Sequence, residues 1–170
     1  GEDTNLGGSL NATANTFYLG DNAQDRQFRA ILHFQTLTLP DNAVLVQATL
    51  KLKKQSVYGT DPFTTHHNIL VDIRYGPFSC ANALQIEDFQ AAASRNMVGI
   101  IFNAPSGTWY SSTLDSTAFP YISLIGITQF RLAFQLDDND DLGADTVQFY
   151  SGDYGDLAYR PQLQIQYYVP

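Results

Sequence analysis

A chain of 170 residues with a formal net charge of −8 and only 9 Lys and Arg residues is poorly suited to bind nucleic acid or another polyanion, which requires clustered basic side chains. No apolar run approaches the roughly 20 residues that span a bilayer, and GEDTNLGG at the start lacks a charged-then-apolar leader, so we expect no membrane insertion. The length favours a single module over residues 1–170, and the lone Cys80 predicts a buried thiol, without a disulfide or a Cys-based zinc site.

Alternation of apolar and polar residues dominates the chain and is the pattern of strands with one buried face. In chain order, the candidate strands are FRAILHF, AVLVQATLKLK, NILVDIRY, VGIIF, YISLIG, FRLAFQL, TVQFYS and RPQLQIQYYV. The alternation places Val44, Val46, Leu136, Tyr167 and Val169 on buried faces. Only LQIEDFQAAAS, residues 84–94, has the composition of a helix. The sequence therefore predicts an all-β fold, a two-sheet antiparallel β-sandwich that is jelly-roll-like and has one short helix.

The histidines and the missing motifs argue against an enzyme. His66 and His67 lie in TDPFTTHHN, which has the composition of an exposed loop. Adjacent residues of an extended chain point to opposite faces, so these two are poorly placed to bind one ion together. The chain has no G-x-S-x-G, no H-E-x-x-H and no phosphate-binding glycine loop. We expect a non-catalytic protein.

Two aromatic pairs beside small and polar residues are candidates for sugar binding. Trp109 and Tyr110 lie in SGTWYSST, and Tyr154 and Tyr159 lie in SGDYGDLAYR. Aromatic rings stack on pyranose faces, while neighbouring amides and carboxylates bind the hydroxyl groups. A sole Trp is also common in a sandwich core, and surface tyrosines are common without any function. Both interpretations are open for these four positions.

The acidic stretch LDDNDDLGAD, residues 136–145, has oxygen-bearing residues at every second position, as in a calcium loop. It is not an EF-hand, because Gly143 comes one position too late and Gln148 replaces the bidentate Glu. Ligands without His or Cys favour calcium over zinc, although Asp and Asn are also common in solvated turns. The sequence predicts a structural Ca²⁺ with the following ligands: Asp137, Asn139, Asp141 and Asp145, with Glu87 or Asp88 as partners from the predicted helix.

The order of several motifs carries a family resemblance. These are TNLGG, FYLGD, FRAILHFQTLTLPDNAVLVQATLKL, LQIEDFQAAA, ITQFRLAFQLDDNDD and FYSGDYGDLAYRPQLQIQYYVP. Together they resemble the DNRLRE-type β-sandwich modules of secreted bacterial and archaeal proteins, which are grouped with the CBM96-like carbohydrate-binding modules. The chain departs from them at His33 and Gln35, where many relatives carry Arg and Asp. The resemblance implies an extracellular or cell-surface module that binds polysaccharide or attaches a larger protein.

Self-assembly is the alternative function. Modules of this family usually begin with a strand ahead of the Asn-x-Gly segment, whereas TNLGG follows Gly1 almost at once. A missing strand would leave a sheet edge open to a strand from a neighbouring copy. The last candidate strand, ending in QLQIQYYVP, has a low Lys and Arg content, so no charge protects that end from pairing. The partner would then be the protein itself, in a fibre or a surface layer.

Overall fold

The computed structural model describes residues 7–170 and has an all-β sandwich fold, as predicted. Among these residues the strands are β1 (Thr16–Asp21), β2 (Gln27–Phe28), β3 (Ala30–Gln35), β4 (Val44–Gly59), β5 (Ile69–Tyr75), β6 (Arg95–Ile101), β7 (Trp109–Thr113), β8 (Ile127–Phe134), β9 (Asp145–Tyr150) and β10 (Gln162–Tyr168). One sheet is 6-stranded in the order β10-β4-β9-β1-β2, with β7 also paired to β4. The other is 4-stranded in the order β3-β8-β5-β6.

The long strand β4 organises the 6-stranded sheet. Its first part pairs with β10 and with β7, and its second part pairs with β9. The partner changes from β7 to β9 between Lys53 and Lys54, and the register with β9 shifts directly afterwards, between Lys54 and Ser56. An extra residue at such a bulge bends a strand and increases its twist. One continuous strand therefore serves two sets of neighbours.

The core lies between the two sheets and follows the predicted alternation only in the middle of the strands. Leu50 and Leu132, one from each sheet, are fully buried. The alternation is wrong at the strand ends, and the register of β10 with β4 shifts between Gln166 and Tyr167, leaving Val46 out of the pairing. The side chains that were predicted to be buried but are exposed are Val44, Val46, Leu136, Tyr167 and Val169.

The predicted helix over residues 84–94 is only a 3₁₀ turn, Ile86–Phe89. The carbonyl groups that would continue it are bound elsewhere: Arg29 Nη1 donates to Phe89 O at 2.7 Å, and Arg131 Nη1 donates to Ala91 O at 2.7 Å. The α-helix is instead the short α1 (Pro62–Thr65), between β4 and β5. No helix of the described residues is long and apolar enough to cross a membrane. Cys80 is exposed, so the predicted burial of its thiol is wrong.

Candidate functional site

Three buried side chains from distant parts of the chain meet at one end of the 6-stranded sheet, and we refer to Asp21, His66 and Asp145 as the Asp–His–Asp cluster. Asp21 ends β1 and Asp145 begins β9, and the two are direct partners in the antiparallel register. Gly20 has φ +107, and a Cβ there would lie 1.9 Å from Asp145 O, so only glycine permits this close approach of the strands.

His66 reaches the cluster because α1 turns the chain inward. Asp61 caps the helix by accepting from Phe63 N at 3.0 Å, and Pro62 occupies the first turn. His66 is the C-cap residue, and its backbone N–H donates to Pro62 O at 2.7 Å. The next residue, His67, has φ 68, points away and is exposed. The helical turn therefore separates the two histidines into a buried one and an exposed one.

The cluster is compact and inaccessible to solvent. His66 Nε2 lies 3.3 Å from Asp21 Oδ2, and His66 Nδ1 lies 3.8 Å from Asp145 Oδ2. One ligand atom from each residue can be chosen such that all lie within 4.8 Å of one another. All three residues are 0% exposed. Among the described residues, no other group of three His, Cys, Asp or Glu side chains is close enough to hold a metal ion together.

Several polar atoms of the cluster are buried without a hydrogen-bond partner. They are Asp21 Oδ1 and Oδ2, Asp145 Oδ1 and His66 Nε2. Asn139, from the acidic loop, donates through Nδ2 to Asp145 Oδ2 at 3.0 Å, while its own Oδ1 is buried without a partner. Buried polar groups are nearly always hydrogen-bonded in native proteins. Several buried oxygens without donors at one point therefore indicate a candidate site for a cation.

The charge balance of the cluster is negative. Burial raises the pKa of the Asp21 carboxyl above its ordinary value, His66 opposes this shift, and the adjacent Asp145 carboxylate reinforces it. Desolvation disfavours the charged form of a carboxyl, and a second carboxylate disfavours it further. The imidazole of His66 alone does not offset these two effects on the pKa of Asp21.

Of the residues predicted to bind calcium, Asn139 connects Asp141 and Asp145, donating through Nδ2 to Asp141 Oδ2 at 3.1 Å and to Asp145 Oδ2 at 3.0 Å. Asp137 is exposed, and Asp141 Oδ1 accepts from the Gly143 N–H at 2.5 Å, as in an ordinary Asx turn. Glu87 is exposed, while Asp88 is buried and accepts from Gln85 N at 2.9 Å. The residues of the prediction that reach the Asp–His–Asp cluster are Asp145 as a member and Asn139 as a hydrogen-bond donor to it.

Sequence reasoning missed Asp21 and His66. His66 was expected in an exposed loop, and this expectation is wrong because the side chain is fully buried. A signal was present: Asp61-Pro62 is a favoured helix start, with a capping residue followed by proline. A helical turn after it would have turned His66 and His67 in different directions and left one of them available to the interior.

Of the aromatic candidates, three gather on one surface. Trp109 pairs with Lys53 across β7 and β4, and Lys53 Nζ lies 3.1 Å from the ring centroid of Tyr159. Tyr154 and Tyr159 stack, with centroids 5.7 Å apart and planes inclined by 9°. Tyr150 contacts both, with centroids 4.4 and 5.0 Å away. We call Trp109, Tyr150, Tyr154 and Tyr159 the aromatic strip.

The remaining aromatic candidate, Tyr110, lies in the core. It is 1% exposed, and its ring stacks on Phe63 with centroids 5.1 Å apart. Its expected role as an exposed platform is therefore wrong. Adjacent strand residues point to opposite faces, so the burial of Tyr110 places half-buried Trp109 on the outer face. Trp109 thus belongs to the aromatic strip, and Tyr110 belongs to the core.

A shallow groove of about 300 Å³ lies on the outside of the 6-stranded sheet. Tyr18, Phe28 and Tyr58 supply its aromatic lining, and Ala144 and Thr146 supply part of its base. The last two flank Asp145, which points inward. The groove and the Asp–His–Asp cluster therefore lie on opposite sides of the same strand. No pattern in the sequence indicated the groove.

No protein-family model matches the sequence, and no curated protein matches it. The likeness to DNRLRE-type and CBM96-like modules thus depends on the quoted motifs, and membership of that family stays a prediction.

Proposed function

We propose that the protein is a non-catalytic module that binds polysaccharide through the aromatic strip, outside the cell or at its surface. The main supporting observation is that Trp109, Tyr154 and Tyr159 lie on one surface, where Lys53 lies beside both Trp109 and Tyr159. These three residues were predicted from the small and polar residues beside them in the sequence. A row of half-buried rings offers apolar faces to sugar rings at little entropic cost, because the rings are already held by their neighbours.

The overall charge of −8 disfavours polyanions, but the local pair of lysines beside the strip favours acidic sugar units over neutral ones at this surface. Lys51 Nζ lies 5.3 Å and Lys53 Nζ lies 5.9 Å from the Trp109 ring centroid. The chain carries a formal net charge of −8, so a local pair of cations is a distinct feature. Carboxylate or sulfate groups of an acidic chain would contact these ammonium groups while its sugar rings lie against Trp109.

Affinity electrophoresis in gels containing a polyuronate or a neutral β-glucan tests the proposal. We expect the polyuronate to retard the protein and Trp109→Ala to lose about tenfold or more in affinity. Lys53→Gln should also bind more weakly, and high salt should weaken binding by the native protein in the same way. Tyr75→Ala, an equally large change at an exposed position of the 4-stranded sheet, is the matched control and should bind normally.

The proposal fails if neither polymer retards the protein, or if Trp109→Ala migrates like the unmodified chain. A loss of binding confined to Tyr58→Ala would move the site to the groove, since Tyr58 lines it.

A second candidate function is self-assembly by strand addition at β10. Among the described residues β10 pairs only with β4, so its other edge carries unpaired backbone groups. The strand has the sequence QLQIQYY, without a charge or a proline to deter pairing, and Tyr168 and Val169 at its end are exposed. The N-terminal edge named in the sequence prediction involves residues before 7 and lies outside the described residues.

Light scattering across a concentration series, with negative-stain microscopy, tests the assembly. We expect concentration-dependent oligomers that Gln166→Lys suppresses, because a charge on an edge strand disfavours pairing. Gln35→Lys, at an exposed position on the edge strand β3, is the matched control and should assemble normally. A monomer at every concentration would rule out this candidate and leave polysaccharide binding untouched.

A further inference from the structure

Beyond polysaccharide binding, we propose that the Asp–His–Asp cluster is a structural metal site that takes a divalent transition-metal ion, with Zn²⁺ as the preferred ion. The ion would join the end of β1, the start of β9, the helix α1 and the acidic loop. This site shares Asp145 with the predicted calcium loop but adds Asp21 and His66 and takes a different metal.

Charge balance supports an ion at this point. If both carboxyl groups are ionised, a protonated imidazole leaves one buried negative charge and a neutral imidazole leaves two. None of the ion pairs among the described residues joins a Lys or Arg to Asp21 or Asp145. Buried charge without compensation is costly. A divalent cation with a neutral His66 makes the group electrically neutral.

The bare atoms are the ones a metal needs. Asp21 Oδ1 and Asp145 Oδ1 are buried without hydrogen-bond partners, and the buried Asp21 Oδ2 and His66 Nε2 lie 3.3 Å from each other. His66 Nδ1 lies 2.8 Å from Thr65 Oγ1. If Nδ1 carries the proton and donates it to that hydroxyl, Nε2 presents its lone pair, which is the usual arrangement of a metal-binding histidine.

The acidic loop provides the supporting contacts. Asn139 Nδ2 donates to Asp145 Oδ2 at 3.0 Å and to Asp141 Oδ2 at 3.1 Å, which orients the Asp145 carboxylate. The buried Asn139 Oδ1 is a further oxygen donor beside the cluster. Leu142 N donates to Asp25 Oδ1 at 3.1 Å, so the loop is also tied to the turn after β1. Hydrogen bonds that hold ligands in place are a regular feature of metal sites.

The donor set selects the metal. One imidazole nitrogen with two carboxylates suits Zn²⁺, which binds His and Asp together, whereas Ca²⁺ and Mg²⁺ prefer oxygen ligands alone. The cluster residues are 0% exposed, so no substrate reaches the ion. Its role is to stabilise the fold, in the manner of closed structural sites.

The first experiment is metal analysis and thermal unfolding of the whole chain, stripped with chelator and reloaded. We expect one Zn²⁺ per chain after dialysis, and a melting temperature about 5–10 °C higher at a hundredfold excess over Kd. Ca²⁺ at the same concentration should give a smaller shift. Absence of bound Zn²⁺, or a larger shift with Ca²⁺, would overturn the proposal.

Matched variants locate the ion. His66→Gln and Asp21→Asn should abolish both the Zn²⁺ content and the thermal shift, because each removes a ligand. His67→Gln and Asp137→Asn change exposed neighbours of the same types and should retain both. Binding that survives His66→Gln, or that is lost with His67→Gln, would place the ion elsewhere.

A measurement on the unmodified chain decides the matter even if the ligand variants fail to fold. The ¹⁵N resonances of the histidine rings report metal coordination directly. His33 and His67 are exposed and serve as internal references for the buried His66. During titration with Zn²⁺ we expect the Nε2 resonance of His66 alone to move. Movement confined to His33 or His67 would contradict the proposal.

Discussion

Two groups of buried charged residues, one in each sheet, differ in whether the protein itself pairs their charges and hydrogen-bonding atoms. In the 4-stranded sheet, Arg131 Nη2 lies 2.8 Å from Asp72 Oδ2. Arg131 Nη1 donates to Ala91 O at 2.7 Å, and Asp72 Oδ1 accepts from Met97 N at 3.0 Å. In the 6-stranded sheet, Asp21 Oδ2 lies 3.3 Å from His66 Nε2, but Asp21 Oδ1 and Asp145 Oδ1 are buried without a donor.

The difference shows that burial alone does not define a structural ion pair. Arg131 and Asp72 carry opposite charges and find fixed donors and acceptors in the protein, so the group is complete. The Asp–His–Asp cluster has excess negative charge and too few donors, so its completion needs a cation. Counting partners atom by atom separates a stabilising pair from a binding site.

The largest effect is expected for Arg131→Leu, which breaks the complete group. Asp72 would be left largely buried and unpaired, and the carbonyls of the 84–94 segment would lose their donor. We expect the free energy of unfolding to fall by about 3–5 kcal/mol in urea denaturation. Arg95→Leu is the control, since Arg95 is exposed, and should change stability by about 0.5 kcal/mol or less. Equal effects of the two changes would show that the buried Arg131–Asp72 pair matters no more for stability than an exposed arginine.

A smaller effect of opposite sign is expected for Asp21→Asn in the presence of chelator. Removing one carboxylate from a group with excess negative charge should raise the free energy of unfolding by about 1 kcal/mol. Asp72→Asn should lower it, because that carboxylate is paired with Arg131. Urea denaturation of both variants under identical conditions measures the two signs. Destabilisation by Asp21→Asn of the same size as by Asp72→Asn would show that both groups are complete without an ion.

The smallest effect concerns Asp115, an exposed carboxylate that serves as a reference for the buried ones. Its Oδ1 accepts from Thr117 N at 2.8 Å at the start of the 3₁₀ helix Ser116–Tyr121, and this bond lowers the pKa of Asp115 below its ordinary value. A lowered folded-state pKa contributes stability above the unfolded-state pKa, and that stability is lost as pH falls through the folded value. The native protein should lose a little stability as the pH falls below the ordinary pKa of an aspartate, and we expect Asp115→Asn to remove that loss. Identical acid profiles in denaturant would show that the cap does not matter.

The fold was predictable because it depends on short-range alternation. AVLVQATLKLK and FRLAFQL place their apolar residues on one face, and Leu50 and Leu132 are buried as that pattern requires. The prediction failed at Val46, which lies at the register shift between β4 and β10, and at Leu136, which follows the end of β8. It also failed for LQIEDFQAAAS, where arginine side chains from other strands bind the carbonyls that a helix would use.

The candidate sites were predictable only in part. Trp109, Tyr154 and Tyr159 were named from their small and polar neighbours, and the strands bring them together through Lys53. Asp145 was named from its acidic loop. Nothing in the local sequence of FYLGD marks Asp21 as its partner, because that partnership is set by the pairing of β1 with β9.

The sequence by itself determined the β-sandwich, the acidic loop and the aromatic segments, since each depends on residues within a few positions of one another. Only the tertiary structure decided that Asp21, His66 and Asp145 meet, that His66 is buried while His67 is exposed, and that Tyr110 belongs to the core. The physical reason is that ligand sets and charge balance depend on long-range strand register, and alternation along one strand carries no information on which strand will lie beside it.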